Sequence, residues 1–547
     1  MADKTNKDIA RQFKLLGDLM ELHGENKFKI RSYQSAYQKL RKMDTPISDW
    51  NVQQLMELDG VGKAIAEKIY NYTHEDQFPQ LDKYKSQTPE GVVEMLQIRG
   101  LGPKKIRQLW KELEVESPGE LLQACRENRL VHLKGMGEKT QTKIEKQLAF
   151  FLQAQEWIRI DQARTLYLKL TEKWPADCRV EPTGDLRRWM PTMKAVELIS
   201  EPHEAVTEKA YWEEFSEITD IDYSEDSLTF KFESIPVRVI WADAKNWETI
   251  WLKTTGGSGV DVDIDKPIES ETAYFESQDL PFIPADLRDH ADVKAWTNEH
   301  KIDELIELDD ICGMVHLHTD WSDGGGTLTQ MVEAARDKGY EYITITDHSA
   351  AAFYANGLNA DRLRKQRQAI DDLDVEGIRI FAGCEVDIMP SGDMDLDADI
   401  ISELDIVIAS VHSQLQMNKD KAMERLLQAI AHPHVHMLGH PTGRLILARP
   451  GYPIDHKSII DACADHQVSI EINANPLRLD LDWTWVPYAM EKGVYISINP
   501  DAHSISNMDL MPYGVAMGRK GGLTKSMCLN AQSADEFYRL LHRKDKE

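Results

Sequence analysis

The chain has 547 residues and a formal net charge of −28 at pH 7. This length is too great for one hydrophobic core and predicts three or four domains. No run of about 18 apolar residues occurs and the chain starts with a polar amphipathic stretch, so we expect a soluble cytoplasmic protein without a membrane segment. Six scattered cysteines form no CxxC pair, which argues against a disulfide framework and against a thiolate zinc site.

The negative charge is unevenly distributed. Residues 1–150 contain 25 lysines and arginines against 22 acidic residues, a net of +3, so the other 397 residues carry −31. Because bulk negative charge repels phosphate, any contact with DNA should be local and close to the N-terminus. The acidic remainder of the chain suits multivalent cations.

Three segments of the first 150 residues share one pattern: an apolar residue, a GxG turn, at least one lysine and a helix. They read LDGVGKAIAEKI from Leu58, IRGLGPKKIRQL from Ile98 and LKGMGEKTQTKI from Leu133. Backbone N–H groups at such helix starts are unpaired and uncrowded, which suits a bound phosphate. The alternative is a set of ordinary helix C-caps followed by tight turns, but the repetition favours phosphate binding. The predicted DNA contacts are Gly60, Gly62, Lys63, Gly100, Gly102, Lys104, Lys105, Gly135, Gly137 and Lys139.

These repeats resemble the helix-hairpin-helix motif, which binds the DNA backbone without reading sequence. With the preceding FKIRSYQSAYQKLRKM, the first repeat resembles the N-terminal domain of family X DNA polymerases. The resemblance implies an all-α domain over residues 1–85 and a fingers-like helical region over 86–153. In eukaryotic members this domain can carry a lyase lysine, and Lys68 occupies the matching place; the alternative is an exposed helix lysine near phosphate.

Residues 154–300 alternate between β-rich and helical runs, which predicts a reduced α+β palm of the nucleotidyltransferase type. A family X palm has a glycine-serine turn, an arginine pair and three aspartates that hold two metal ions. In TGDLRRWMPTMKAVELIS the serine position is Asp185, and two carboxylate positions fall on Ala195 and Glu197. The third falls near Pro236. We therefore expect a degenerate palm that does not incorporate nucleotides.

The expected thumb domain is also missing from the sequence. The family places a thumb between its glycine-serine turn and the LPFIPADLR stretch. Here TTGGSG at 254–259 is joined to LPFIPADLR at 280–288 by a short acidic segment. We expect the thumb to be largely deleted.

From Gly313 onward, seven β-rich runs alternate with amphipathic helices over 235 residues. This pattern predicts a distorted (β/α)7 TIM-like barrel over residues 311–547. In six of the runs a histidine, aspartate or glutamate lies at or just past the strand end, where barrel enzymes assemble their sites. A buried structural histidine would explain any one of them, but six together predict a metal site.

This constellation resembles the polymerase and histidinol phosphatase (PHP) family of metal-dependent phosphoesterases, along all of residues 311–547. The phrases GCEVDI, LGHPTGR and EINANPLRLDL further resemble the PHP module fused behind bacterial family X polymerases. The resemblance implies nine metal ligands: His316, His318, Asp323, His348, Glu385, His412, His440, Asp501 and His503.

Six histidines and three carboxylates without a thiolate suit two or three Zn²⁺ or Mn²⁺ ions, with Fe²⁺ as a further choice. Such ions lower the pKa of water and neutralise phosphate charge, so the site should hydrolyse phosphoesters. Asp347, next to His348, is predicted to orient a ligand. Arg444 is predicted to hold a phosphate through two hydrogen bonds, with a surface salt bridge as the alternative.

The sequence therefore predicts a monomeric, DNA-binding PHP phosphoesterase, a metal-dependent 3′–5′ exonuclease of DNA repair with an inactive polymerase domain. One alternative is a phosphomonoesterase, acting on a metabolite such as histidinol phosphate or on a DNA 3′-phosphate. Another is a non-catalytic DNA-end scaffold, and a third is residual polymerase activity. The three hairpins favour DNA, since a metabolite phosphatase has no use for them, and the complete ligand set argues against the scaffold.

Overall fold

The structure is a computed structural model that describes residues 4–546 except 42, 44, 59–60, 99, 153–156 and 265. Its internal contacts divide the chain into two compact units. One contains Met1–Cys125 and Leu133–Leu152, and the other contains Arg126–His132 and Gln153–Glu547. Within the described ranges, no helix has both the length and the apolar character that crossing a bilayer requires.

The first unit is all α-helical, as predicted. Its described helices are α1 (Asn6–Leu22), α2 (Lys27–Leu40), α3 (Val52–Met56), α4 (Lys63–Glu75), α5 (Pro79–Ser86), α6 (Glu90–Met95), α7 (Pro103–Glu112), α8 (Pro118–Arg126) and α9 (Glu138–Leu152). Helix α1 begins at a capping box, in which the Thr5 side chain and the Asp8 side chain each accept a backbone N–H. Its buried face, including Phe13 and Leu16, packs on α2, α5 and α7.

The second unit begins with a mixed α and β region that matches the predicted palm. Its elements are β1 (Ile158–Arg159), α10 (Ile160–Thr171), β2 (Val180–Pro182), α11 (Gly184–Arg187), β3 (Thr192–Met193), β4 (Val196–Ser200), α12 (Lys209–Glu213), β5 (Ile218–Tyr223), β6 (Ser227–Phe232), β7 (Ile235–Trp241) and α13 (Trp247–Thr255). Five strands form a sheet in the order β2-β4-β7-β6-β5, and only β4 and β7 are parallel. Buried Trp212, Phe230 and Phe232 pack on one face of this sheet.

Two short helices follow the palm region, α14 (Glu271–Glu276) and α15 (Val293–Glu299). They surround a small core that includes Phe275 and Leu287. The buried ammonium of Lys520 donates to Asp289 and ties this segment to the barrel that follows. In the described part of the chain, α14 is all the regular structure present where the family has its thumb.

The remainder of the second unit is a nearly closed parallel barrel, which confirms the predicted fold. Its elements are β8 (Gly313–Leu317), α16 (Leu328–Asp337), β9 (Tyr342–Ile345), α17 (Ala360–Asp371), β10 (Arg379–Asp387), α18 (Ala398–Ile401), β11 (Ile406–Ser410), α19 (Lys419–Ile430), β12 (Met437–Leu438), α20 (His456–Asp465), β13 (Ser469–Asn473), α21 (Val486–Glu491), β14 (Ile496–Asn499), α22 (Met511–Lys520) and α23 (Ala534–Leu541). The seven strands are neighbours in chain order, and Leu317 pairs with Ala502 where the first and last strands meet. Apart from the start of β10, these strands are buried on both faces, which explains their apolar sequences.

Candidate metal centre

Buried histidines and carboxylates collect at the carboxyl ends of the barrel strands. His316 lies in β8 and Glu385 in β10, while the others lie in loops after β8, β9, β11, β12 and β14. His412 has a side chain that is 10% exposed. The other eight predicted ligands are buried: His316, His318, Asp323, His348, Glu385, His440, Asp501 and His503.

Glu385 lies at the centre of this cluster. Its Oε1 is 3.0 Å from Nε2 of His440, 3.1 Å from Nε2 of His412 and 3.2 Å from Nε2 of His316. Its Oε2 is 2.9 Å from Nδ1 of His348. Because the two oxygens face separate imidazoles, this carboxylate is placed to bridge two cations.

Asp323 anchors a second group of donors. Its oxygens are 3.6 Å from Nε2 of His348, 3.6 Å from Nε2 of His503 and 3.9 Å from Nδ1 of His318. Ligand atoms of these four residues all lie within 4.8 Å of one another. One carboxylate with three imidazoles is a donor set that suits zinc and similar divalent ions.

Two further groups have ligand atoms within 4.8 Å of one another: His316, His318 and Asp501 in one, and His348, Glu385 and His412 in the other. His318 and His348 thus occur in two groups each. A neutral imidazole has only one nitrogen with a free lone pair, so each of these rings serves one ion at a time. The overlap is compatible with two or three ions.

Several atoms of the cluster that could bind a metal ion lack a hydrogen-bond partner within the described residues. Apart from the atoms in the short contacts to Glu385 given above, they are His318 Nδ1, Asp323 Oδ2, His440 Nδ1 and His503 Nε2. A buried polar atom without a partner costs about 1–3 kcal/mol, so such a concentration is unfavourable unless cations occupy the cluster. The residues present therefore fit bound divalent metal ions.

Charge interactions keep the carboxylates of the cluster in the form that binds metals. Burial opposes ionisation of Glu385, but the nearby His412 and His316 outweigh it and hold its pKa well below the ordinary value. Burial likewise opposes ionisation of Asp501, whose pKa is lowered by His316 and by a hydrogen bond from His318. Burial lowers the pKa of His318 itself to about 4, so this ring is neutral at pH 7.

The sequence did not reveal two carboxylates that orient the predicted ligands. Nδ1 of His316 is 3.1 Å from Glu471, and Nδ1 of His412 is 3.1 Å from Asp387. Such partners fix which ring nitrogen faces the metal. Asp387 could have been found, because it lies two residues after Glu385 on one strand and so shares its face. Glu471 is an acidic residue inside an apolar strand, which is a similar signal.

Asp347 acts on a loop rather than on a ligand ring. Its Oδ1 accepts the backbone N–H of Thr319 at 2.8 Å and that of Ser322 at 3.2 Å. Its Oδ2 accepts from the side-chain amide of Gln366. These contacts fix the loop after β8, which carries two of the predicted ligands.

Arg444 is engaged in contacts within the protein. Its Nε donates to the carbonyl of Arg478 at 2.9 Å, and its other nitrogens bond to Asp482 and to the carbonyl of Leu479. These contacts correspond to the salt-bridge alternative. The phosphate contact stays a prediction, and a phosphate would have to replace some of these bonds.

Backbone strain is concentrated at the ligand positions. His316, His440 and Asp501 have φ values of +66°, +21° and +52°, in a region that residues other than glycine rarely adopt. Such conformations persist where the surrounding structure imposes them, and they cluster at functional sites. In His316 the strain accompanies a register shift between β8 and β9.

Comparison with family models matches three parts of the chain. A helix-hairpin-helix domain matches residues 4–78, a SAM-like helix-hairpin-helix tandem matches 92–148, and a PHP domain matches 315–475.

Among curated proteins, the DNA polymerase/3′-5′ exonuclease PolX of Bacillus subtilis (strain 168) is 33% identical over 98% of this chain and 100% of its own length. The chain belongs to the family X DNA polymerases that carry a C-terminal PHP domain. The PHP part is also similar to a probable phosphatase of Thermoanaerobacter sp. (strain X514), 28% identical over 39% of this chain and 88% of that protein. The probable phosphatase YcdX of Escherichia coli O81 (strain ED1a) is 31% identical over 29% of this chain and 62% of its own length.

The palm region of this chain has an ion pair at a position where the family has a catalytic carboxylate. The four positions predicted as degenerate are Asp185 in α11, Ala195 just before β4, Glu197 in β4 and Pro236 in β7. Glu197 lies opposite Arg238 in the parallel register, with 3.7 Å between Oε1 and Nη1. Asp185 pairs with Arg188.

Three glycines of the predicted hairpins directly precede helices. Gly62 precedes α4, Gly102 precedes α7 and Gly137 precedes α9. No side chain caps the first two helices. A Cβ atom added at any of the three would meet nothing within 4 Å, so packing inside the protein does not require glycine there. Open, uncapped helix starts are compatible with an approaching phosphate.

The first glycine of the second and third hairpins makes the turn. Gly100 and Gly135 have φ values of +85° and +83°, which favour glycine. Gly60 lies outside the described residues. The predicted basic contacts Lys63, Lys104, Lys105 and Lys139 all lie in the first turns of the helices that follow.

Lys68 lies in α4 and is half-buried. Its ammonium donates to the carbonyl of Ala64 at 3.2 Å and lies 5.9 Å from the centre of the Tyr33 ring. Burial lowers its pKa. A lyase role for this lysine stays a prediction.

Proposed function

We propose that this protein is a metal-dependent 3′–5′ exonuclease that shortens DNA ends and that its polymerase domain no longer transfers nucleotides. The observation that carries the proposal is the buried cluster around Glu385, whose unpartnered donors fit two or three divalent ions. The exonuclease named in the B. subtilis relative supports the direction of cleavage.

The nine predicted ligands would hold the ions, and Glu471 and Asp387 would orient two of the histidines. When bound, the ions supply water of lowered pKa and neutralise charge on the phosphate. The carboxylates of Glu385 and Asp501 need no deprotonation at pH 7, since nearby histidines already hold their pKa values low. Because six of the nine predicted ligands are imidazoles, Mn²⁺, Zn²⁺ or Fe²⁺ fits better than Mg²⁺.

DNA binding is assigned to the three hairpins. The second glycine of each leaves an open helix start, and lysines follow in the first turn. Contacts to backbone phosphates carry no sequence information, so binding would be independent of sequence. The strong negative charge of the remaining chain confines such binding to this basic part.

Loss of polymerase activity rests on the pair formed by Glu197 and Arg238. Two-metal nucleotidyl transfer needs several carboxylates around the ions. Of the three expected carboxylate positions, only Glu197 keeps a carboxylate, and Arg238 beside it on the neighbouring strand would repel cations. A short α14 in place of the thumb agrees with this loss.

One gel tests the proposal. The protein is incubated with 5′-labelled single-stranded, blunt or gapped DNA and with Mn²⁺, Zn²⁺ or Mg²⁺, with and without dNTPs. A His316→Ala, His318→Ala variant serves as control. We expect a ladder of shortened products that the control lacks and no extension with dNTPs. Extension that disappears in Glu197→Gln would contradict the loss of polymerase activity.

A phosphomonoesterase is the second candidate, because the chain is also similar to probable phosphatases, over 39% and 29% of its length. In that case phosphate would be released from a small ester or from a DNA 3′-phosphate without shortening of the chain. If neither reaction occurs with any of the metals while DNA is bound, the protein is a DNA-end scaffold.

A further inference from the structure

The short segment Arg126–His132 belongs to the same compact unit as the barrel. The side-chain amide of Asn128 donates to the carbonyl of Asp323 at 3.3 Å. The guanidinium of Arg129 lies 4.0 Å above the ring of Tyr354. This segment therefore lies beside the metal cluster. It also contacts Arg478, through Glu127.

Arg478 is a buried cation at the edge of the cluster. Its side chain is 8% exposed. Nη2 donates to Glu127 at 3.1 Å, and Nε lies 3.8 Å from Oδ2 of Asp501, a predicted metal ligand. The N–H of Nε is buried and has no hydrogen-bond partner in the described part of the chain.

The loop that carries Arg478 is held in place by backbone bonds. The backbone N–H of Arg478 donates to the carbonyl of Asn475 at 2.7 Å, and the N–H of Leu477 donates to the Asn475 side chain at 3.0 Å. The neighbouring Asp480 accepts the N–H of Thr442, in the loop after β12. The guanidinium is thus presented from a fixed loop rather than from a mobile one.

We propose that Arg478 binds the phosphate group that enters the metal site, with its free Nε–H donating to a phosphate oxygen. The proposal rests on the proposed phosphoesterase function and adds the residue that recognises the anion. A guanidinium is always charged, and its fixed fork matches phosphate geometry. The carboxylates of Glu127 and Asp501 hold the side chain and offset the cost of burying its charge.

The contrasting explanation is that Arg478 only neutralises these two carboxylates. Both explanations predict that its loss lowers stability, so stability alone does not separate them. They differ in the phosphate affinity that they predict for Arg478 variants. If Arg478 serves only as a counterion of Asp501, its replacement leaves that affinity unchanged.

The test compares Arg478→Lys and Arg478→Gln with the wild-type protein, each loaded with Mn²⁺. Inorganic phosphate is titrated calorimetrically, metal content is measured by mass spectrometry, and thermal unfolding is recorded. Arg288→Lys is the matched control, because Arg288 is also buried and also paired with a glutamate, Glu271, but lies outside the barrel. Two variants are used so that one which fails to fold does not end the test.

We expect both Arg478 variants to bind phosphate about 10–100-fold more weakly at unchanged metal content, because a charge-assisted hydrogen bond is lost. Arg288→Lys should lower the unfolding temperature but leave phosphate affinity unchanged. Unchanged phosphate affinity in the Arg478 variants would overturn the proposal. Loss of metal from them would also overturn it, since Arg478 would then act on the assembly of the metal site.

The same proteins are then assayed on 5′-labelled single-stranded DNA. If the wild type does not shorten DNA, the exonuclease proposal fails, while a drop in phosphate affinity still supports the role of Arg478. If the wild type shortens DNA and both variants do so with unchanged kcat and KM, the proposed role of Arg478 is wrong and the exonuclease proposal stands.

Discussion

Glu471 and His316, 155 residues apart in the chain, are both fully buried and lie 3.1 Å apart at Oε2 and Nδ1. Because a carboxylate accepts, Nδ1 carries a proton, which leaves Nε2, on the side of Glu385, as the nitrogen that would bind a metal ion. Glu471 also accepts the backbone N–H of His440 at 3.1 Å. One carboxylate therefore orients two of the predicted ligands.

We predict that Glu471→Gln weakens metal binding by about 10–100-fold, as loss of an orienting partner does in other metal sites. The amide keeps the shape but donates where the carboxylate accepted. Metal affinity is measured by competition with a coloured chelator. Glu333→Gln, on the exposed face of α16, is the control and should bind metal as the wild type does. Equal affinities in the two variants would show that Glu471 plays no part in holding metal.

Glu385→Gln should have a larger effect than Glu471→Gln. Glu385 faces four of the histidines directly, so its replacement removes the carboxylate charge that lies beside all four rings. We expect metal affinity to fall by more than about 100-fold, beyond the range for orienting partners. The bound ions per chain should also fall, as measured by mass spectrometry. Retention of the full wild-type metal content would rule out a bridging role.

The strand ends were predictable because their apolar runs are short and regular, and each stops at a polar residue of ligand type. His316 and His412 could be recognised in this way. Their partners Glu471 and Asp387 could not be assigned, because the pairing depends on the side-chain directions of strands far apart in sequence. The same limit applies to Arg444, whose three acceptors lie in the loop after β13, about 35 residues further along the chain.

The palm shows a related limit. The loss of carboxylates at Ala195 could be read from the sequence. The ion pair of Glu197 with Arg238 could not, because the two residues meet only through the parallel register of β4 and β7.

The hairpin lysines should govern DNA affinity and its dependence on salt. We predict that Lys104→Ala, Lys105→Ala weakens binding of duplex DNA and reduces the slope of log K against log salt by about 1 for each lysine. Fluorescence anisotropy at several salt concentrations measures both. Lys83→Ala, in α5 and away from the hairpin starts, is the control. If Lys83→Ala also reduces the slope by about 1, as each hairpin lysine is expected to do, binding is diffuse and the hairpins are not the DNA contact.

His436 should make the stability of the barrel unit depend on pH. It is buried, and its Nδ1 accepts the backbone N–H of Val407 at 3.0 Å, a bond that protonation of Nδ1 would break. Burial, with the nearby His542 and Lys544, lowers its pKa to about 3. The ordinary value is 6.5, so below pH 6.5 the unfolded chain takes up a proton that the folded protein resists. The stabilising contribution of the neutral ring is therefore complete above about pH 6.5 and is lost as the pH falls towards 3.

We predict that the free energy of unfolding of the wild type falls, from this group alone, by about 1.4 kcal/mol per pH unit between pH 6 and pH 4. His436→Asn keeps an acceptor for Val407 but does not titrate. The amount by which its free energy of unfolding lies below that of the wild type should therefore shrink at that rate as the pH is lowered. Urea unfolding of metal-free protein at several pH values measures the difference. His466→Asn, at an exposed position, controls for the loss of a histidine. A deficit of His436→Asn that stays constant from pH 8 to pH 4 would show that His436 is not held neutral by the fold.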